Sequence, residues 1–398
     1  MLSVEEARRR ILSGVNRLPA EITPIEDAQG RVLADPLLAR LSQPPFVAAA
    51  MDGYAIRAMD AAQDVSFRVI GQSAAGTPFA GCLGERQAVR IFTGAIVPAD
   101  ADKVIPQEFA SREGDDVRFA ALPSSPFVRA LGLDFGLGDV ILEAGHQLDA
   151  AAIGLAAAAN HRQLSLVRRP RIAILATGDE IVPPGAIRSD GQIHSSSLYA
   201  VRAACLAAGA DVINLGIARD ERALLAQRFT AAIAIPADVM ITLGGASVGD
   251  HDLVQETFAR AGGELGFWRI SMRPGKPLIF GTAGSLRLLG LPGNPVSSYV
   301  CCWLFVLPLI RALLGLASEP KLCLARLGAD LPANDEREDY LRARLVSDPH
   351  GTITATAFSR QDSSLQSVLA SANGLILRPP HAPAARAGEI CSVLPLST

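Results

Sequence analysis

The sequence predicts a multidomain protein of the α/β plus β class, and three observations carry that prediction. Residues 170–316 alternate strand-like and helical patterns, which implies a parallel sheet with crossover helices. Residues 41–137 show short strands broken by Gly, Pro and Asp turns, as a small β domain does. Residues 138–169 then return to strand and Ala-rich helix, so the β stretch reads as an insertion into a discontinuous first domain, 1–40 plus 138–169. The tail, 317–398, carries further short strands with turns ("REDYLRARL", "ITATAF", "GLILRPP") and reads as a separate small β domain.

The chain has 398 residues, enough for two to four domains. Apolar residues make up 49% and charged residues 19%, so several cores can be filled, and a formal net charge of −3 argues against a nucleic-acid partner. Arg8–Arg10 and Arg168–Arg169 read as solvated basic clusters. Six cysteines without a C-x-x-C pair and six histidines without H-x-x-x-H spacing argue against a zinc site or a disulfide framework, and fit a reducing cytosol. "MLSVEEARRR" leads into a charged helix rather than a signal peptide. The longest apolar run, Val300 to Ile310, contains Pro308 and is too short to span a bilayer, so a buried helix and no membrane association are expected.

In 1–40 a helix precedes an extended segment. The β domain has candidate strands Phe67–Ile70, Ala88–Phe92, Lys103–Pro106 and Val117–Ala120. In 170–316 the strands Ile172–Ala176, Val212–Ile217 and Val239–Leu243 are separated by helices near Leu198–Ala208 and Glu221–Ala234. Leu253, Val254, Phe258 and Ala261 give the spacing of one face of a further helix.

Ligands of such sheets bind beyond the carboxyl ends of the strands. Each strand here is followed at that edge by an acidic or glycine-rich cluster: "TGDE" (177–180), "ARDE" (218–221) and "GGASVGD" (244–250). Gly244, Gly245 and Gly249 permit positive φ and close backbone approach, and the helix beyond offers free N–H groups to an anion. The loop is neither G-x-G-x-x-G nor G-x-x-x-x-G-K-[ST]. On its local pattern alone, a tight turn with Asp250 or Asp252 as helix cap accounts for it equally well. Two stiff turns complete the segment. "RPGKP" holds Arg273 and Lys276, and "LPGNP" joins the strand Leu286–Leu291 to a helix starting near Val296.

Glu180, Asp220, Asp250 and Asp252 would form a ring of carboxylates at one edge. They could share it with a phosphate only if a hard cation such as Mg²⁺ bridged them. Arg269, Arg273 and Lys276 would supply the opposite charge. Arg269 and Arg273, four residues apart in an extended strand, would converge on one oxyanion. No Cys or His nucleophile is in evidence, so the chemistry would rest on positioning and electrostatics acting on a nucleotide-like ligand.

"AMDGYA" (50–55), "IFTGAIVPADADKVIPQE" (91–108), "ATGDE" (176–180), "GGASVGDHD" (244–252), "MRPGKP" (272–277), "GLPGNPVSS" (290–298) and "SSLQSVLASANGLILRPP" near the C-terminus together resemble the MoeA/gephyrin family of molybdopterin molybdenumtransferases, over nearly the whole chain. The resemblance implies a MogA-like α/β domain with a parallel-rich sheet, a discontinuous N-terminal domain, an inserted β domain and a C-terminal β-barrel, assembled as a cytoplasmic, elongated homodimer. It implies insertion of molybdate into adenylylated molybdopterin with release of AMP, dependent on Mg²⁺. It implies as partners a molybdopterin adenylyltransferase and molybdoenzyme chaperones.

By motif, Asp52, Thr93, Glu180, Asp220 and Asp252 take catalytic positions, with Glu180, Asp220 and Asp252 also ligating the metal. Gly244, Gly245, Ser247, Gly249, Asp250, Arg129, Asp134, Arg269, Arg273, Lys276, Pro292, Gly293, Asn294 and Ser363 take ligand-binding positions. Read without the family, Asp52-Gly53 is also a hairpin turn, Thr93-Gly94 a strand end and Asp220 a helix cap. The chain departs from the family pattern at Ala49 (usually Ser), Leu133 (usually Glu), Ser195 and Ser197 (usually Asp and Asn), and has Arg at 269 and 273 where Lys is common. These departures bear on ligand contacts rather than on the fold. A hydrolase or nucleotidyltransferase acting on a pterin or other nucleotide-like ligand is the second reading. A non-catalytic pterin-binding module is the third, and the intact acidic set speaks against it.

Overall fold

The computed structural model describes residues 1–245 and 253–396. Two compact units form: Ile22–Leu166, and Met1–Glu21 together with Val167–Thr398.

In the first unit six strands build a mixed sheet in the order Lys103–Pro106, Gly53–Ile56, Gln87–Ile91, Ser66–Ser73, Asp116–Phe119, Ala110–Glu113. Alternation sends neighbouring side chains to opposite faces, and both are covered. Tyr54, Ile56, Phe67 and Phe119 fill one core, while Ala55, Val89, Ile91 and Val104 fill another. Residues on either side of this sheet in sequence share a third core, with Leu33 and Leu37 against Leu148, Ala152, Ala156 and Leu166. The helix Ala150–Ala158 belongs to it, and its start is fixed by the Asp149 carboxylate, which accepts from the Ala152 N–H at 2.8 Å. The β domain is therefore inserted into a discontinuous one.

The second unit is built on a six-stranded sheet in the order Asp211–Ala218, Arg171–Thr177, Val239–Leu243, Leu286–Leu291, Pro277–Ala283, Glu264–Arg269. Its first four strands are parallel and the last two continue antiparallel. Because both faces of the parallel strands are covered, Ile172–Ala176 and Val239–Leu243 are buried throughout, which is why they read as unbroken apolar runs. The helices Arg222–Ala234 and Leu253–Arg260 bring Leu225, Phe229, Val254 and Phe258 onto Ala173, Leu175, Met240 and Leu288.

The apolar run around 300–310 lies in a longer helical stretch, Pro295–Leu313, with a wider π-helical turn at Cys302–Val306 just before Pro308. At 19 residues it is long and apolar enough to cross a membrane by length and composition, but 78% of it is buried inside the protein, as in a core helix. The N-terminal helix Val4–Leu12, capped by Ser3, buries Val4, Ala7 and Ile11 and packs against Leu307–Leu313.

Of the two basic clusters read as solvated, the first stays exposed at Arg9 and Arg10 and the second does not at Arg168. Arg9 and Arg10 both bond Glu6, and Arg168 makes a two-pronged ion pair with Asp238 at 3.0 and 2.8 Å, with neither side chain much exposed.

The C-terminal strands Glu338–Ser347, Ile353–Ala357, Cys323–Leu327, Ile390–Pro395 and Gly374–Arg378 pair in that order, and the last returns to the first. The result is a closed five-stranded barrel with no free edge among these strands. Ala325, Leu327, Ala343, Ala355, Ile376 and Val393 fill it.

Candidate functional site

Strand register places the loops of the α/β sheet level with one another. Thr177 lies opposite Ala218, Ala176 opposite Leu243, and Leu243 opposite Leu291, so the chain leaves all four parallel strands at one carboxyl edge. Backbone bonds tie the loops together there. The Gly178 N–H donates to Ala218 O, the Gly244 N–H to Leu291 O (both 3.2 Å), and the Asp220 N–H to the Asp179 carboxylate at 3.3 Å.

The glycines are required by close approach. A Cβ on Gly244 (φ 92°) would fall 2.4 Å from Thr177 O, and one on Gly245 (φ 69°) would fall 2.6 Å from a Val254 methyl. A Cβ on Gly178 would fall 2.6 Å from the Glu180 carboxylate, which folds back over it. Glu180 and Asp220 are both exposed at this edge. Glu221, not Asp220, flanks the helix Arg222–Ala234, and it makes no capping bond. Pro292, Gly293 and Asn294 follow the fourth strand, with Gly293 lying against Gly244. Ser247, Gly249, Asp250 and Asp252 lie outside the described residues. Among the described residues no three acidic, His or Cys side chains gather closely enough to hold a metal ion. Glu180 and Asp220 are nevertheless hard oxygen donors of the kind Mg²⁺ takes, and they stand on loops that hydrogen-bond to each other.

The basic half is arranged differently from the sequence expectation. Arg269 ends the strand Glu264–Arg269 of the α/β sheet, whereas Arg273 lies in Met272–Arg273, which pairs with Glu338 and Asp339 of the barrel. The single extended strand aiming both guanidinium groups at one oxyanion is thus not formed, because the chain changes sheets between them. Arg269 stacks on the Trp268 ring at 3.7 Å. Arg273 is held by the Asp339 carboxylate through Nε (2.7 Å) and Nη2, and by Asp335 at 3.2 Å. These bonds, that to Asp339 foremost, push its pKa further up. Gly275 packs against Cys301, with no room for a side chain, and Lys276 is exposed. At the next turn Asn294 donates to the Ser363 hydroxyl at 3.1 Å, and the Ser363 carbonyl accepts from the Val296 N–H. The two motifs "GLPGNPVSS" and "SSLQS" therefore meet.

In the inserted domain one Asp52 oxygen accepts from both the backbone N–H and the hydroxyl of Thr93, each at 2.7 Å. The backbone bond first, then the hydroxyl, hold this carboxyl below the usual carboxylate range. Arg90 donates to Gly53 O and to Gln107, and lies over the Tyr54 and Phe92 rings. Asp52-Gly53 is not a hairpin: Ala48–Ala49 pairs with Val128–Arg129, while Gly53–Ile56 belongs to the six-stranded sheet. That pairing brings Arg129 beside the same segment. Asp134 is exposed and its N–H donates to Gln43 O.

The departures separate by burial. Ala49 is fully buried in the apolar core, where a methyl suits the packing, whereas Leu133 is 64% exposed. Ser195 is buried with its N–H on Val182 O, and Ser197 opens the helix Ser197–Ala207. Sequence reasoning did not single out Asp339, 66 residues from its partner Arg273, since no local spacing links them. Asp179 was visible inside "TGDE" but carries a loop-to-loop bond that no pattern announces.

Three family models match in order: the MoeA N-terminal region (domain I and II) at residues 2–160, the probable molybdopterin binding domain at 173–312, and the MoeA C-terminal region (domain IV) at 324–396. The molybdopterin molybdenumtransferase of Haemophilus influenzae is 33% identical, with 100% of this chain and 99% of that protein covered. The one from Nostoc sp. is 38% identical over 86% of this chain and 81% of that protein. The crystal structure of a molybdopterin biosynthesis MoeA protein from Pyrococcus horikoshii superposes with a TM-score of 0.86 at 29% identity, covering 100% of both chains. A full-length relative at this identity and three family segments in unbroken order place the chain in the MoeA family of molybdopterin molybdenumtransferases.

Proposed function

We propose that the carboxyl edge of the α/β sheet is where this enzyme inserts molybdate into adenylylated molybdopterin and releases AMP, a step of molybdenum cofactor biosynthesis. The observation that carries the reading is the level placement of the two acidic loops, 177–180 and 218–221, beside a double glycine that only a close backbone approach explains. Glu180 and Asp220, with Asp252, would hold Mg²⁺. The ion, when bound, supplies the charge that lets carboxylates and phosphate oxygens share one edge.

Gly244 and Gly245 bring the backbone close at this edge and Pro292, Gly293 and Asn294 belong to the same rim, while Ser247, Gly249 and Asp250 would serve as ligand-binding positions by their motif. Lys276 offers a cation at this edge; within the inserted domain Asp52 with Thr93 forms a preorganised carboxylate–hydroxyl pair, and Arg129 and Asp134 would be further ligand-binding positions there. Arg269 would support this rim from the end of its own strand in the α/β sheet, and Arg273 and Ser363 from the barrel side. We further propose a cytoplasmic homodimer divided into domains 1–40 with 138–169, 41–137, 170–316 and 317–398. A molybdopterin adenylyltransferase would supply its substrate and molybdoenzyme chaperones would receive its product.

The test is release of AMP from adenylylated molybdopterin by the purified protein. Release should require both molybdate and Mg²⁺. Release at the same rate without molybdate would identify a hydrolase instead.

A further inference from the structure

We infer that the Thr177 hydroxyl is a further ligand-contacting group of this edge, donating a hydrogen bond to an acceptor oxygen of the anionic substrate; the inference rests on the function proposed above. Thr177 ends its strand at the carboxyl edge and is 1% exposed. Its Oγ1 is buried and has no hydrogen-bond partner among the described residues. Buried hydroxyls are ordinarily satisfied, because leaving one unpaired forfeits its bonds to water with nothing in return.

The hydroxyl faces the double glycine. A Cβ on Gly245 would stand 2.9 Å from it and one on Gly244 3.3 Å. Any side chain at either position would therefore occupy the space in front of the hydroxyl. Only glycines let the backbone pass this close to the hydroxyl, at the point where the sheet's ligand edge begins.

Thr242 provides an internal comparison. It pairs with Leu175, two residues behind Thr177, and its own buried hydroxyl also lacks a partner among the described residues. It too faces a glycine, since a Cβ on Gly290 would stand 3.2 Å from its hydroxyl, but that glycine lies within the paired strands rather than beyond them. Of these two unsatisfied hydroxyls, only that of Thr177 stands at the edge.

The experiment uses the full chain and three variants, Thr177→Val, Thr177→Ser and Thr242→Val, each keeping the side chain's volume or its hydroxyl. Without ligand, both Val variants should melt at or above the wild-type temperature, since each removes an unsatisfied polar group and preserves shape. With adenylylated molybdopterin followed by fluorescence titration, Thr177→Val should lose roughly tenfold in affinity. Thr177→Ser and Thr242→Val should bind as the wild type does. Equal binding by wild type and Thr177→Val would overturn the inference alone. A Thr177→Val protein that melts lower without ligand would also overturn it, by showing that the hydroxyl has a structural partner. Failure of the wild type itself to bind would overturn the proposed function and the inference with it.

Discussion

The acidic and basic halves of the sheet edge are built on opposite plans. The acidic loops are tied to each other through backbone and Asp179, and they leave Glu180 exposed. The basic turns are tied to the barrel through their side chains: Arg273 by Asp335 and Asp339, Asn294 by Ser363. A charge in a motif therefore says little until its partner is known. Glu180 stands on a tethered loop, and no cation among the described residues neutralises it. Arg273 is neutralised by the carboxylates that join the barrel to the α/β domain.

The contrast is most sharply tested at Glu180. Glu180→Gln keeps shape and removes charge, so the rate of AMP release should fall by on the order of a hundredfold. The Mg²⁺ needed for half-maximal rate should rise, and the melting temperature should stay within a few degrees, as for other exposed side chains. A variant with wild-type Mg²⁺ dependence would take Glu180 out of the metal's surroundings.

Arg273→Ala should do the reverse. It strands Asp339, whose side chain is only 5% exposed, while Arg273 itself is about half exposed. The expected destabilisation, about 2 kcal/mol, lies between the surface and buried limits for ion pairs. Chemical unfolding would measure it. An unchanged stability together with a raised molybdate requirement would break the comparison, because the guanidinium would then be serving the ligand.

Much of this architecture was legible because strands buried on both faces write continuous apolar runs and their loops follow directly. Ile172–Ala176, Val239–Leu243 and the clusters after them could be located that way. The partners could not. Arg269 and Arg273 look equivalent in sequence, and only the change of sheet between them puts the first on the Trp268 ring and the second on the Asp339 carboxylate. The first helix announces an apolar stripe at Val4, Ala7 and Ile11 but not that it packs on Leu307–Leu313, some 300 positions along the chain. Thr177 was hidden for another reason: a threonine ending a strand is ordinary, and only the missing partner of its hydroxyl distinguishes it.

The barrel joint should also respond to acid. Asp335 is held down to about 2, chiefly by the Arg337 side chain, then by the Arg337 N–H and the charge of Arg273. A depressed carboxyl stabilises the fold fully above its unfolded pKa of roughly 3.9 and loses that contribution as pH falls through the folded value. The melting difference between wild type and Asp335→Asn should thus be constant above about pH 4 and shrink between about pH 4 and 2. A difference that persists unchanged at pH 2 would mean that the carboxylate's charge is not what holds the joint.

The smallest effect is expected at Ser363, where backbone and side chain have separate tasks. Its carbonyl accepts from the Val296 N–H at the start of the helix Pro295–Cys301, a bond that any residue can make. Its hydroxyl accepts from Asn294 in an exposed contact of 3.1 Å. Ser363→Ala removes only the second, so stability should change by less than about 0.5 kcal/mol, as for most surface substitutions. Freed from its tether, Asn294 sits on the turn that touches the double glycine through Gly293. Any loss of turnover should therefore be modest and should appear in the substrate concentration required rather than in the maximal rate. A fall in maximal rate at unchanged substrate requirement would show that the hydroxyl acts in the chemical step, which would move the barrel from supporting the site to taking part in it.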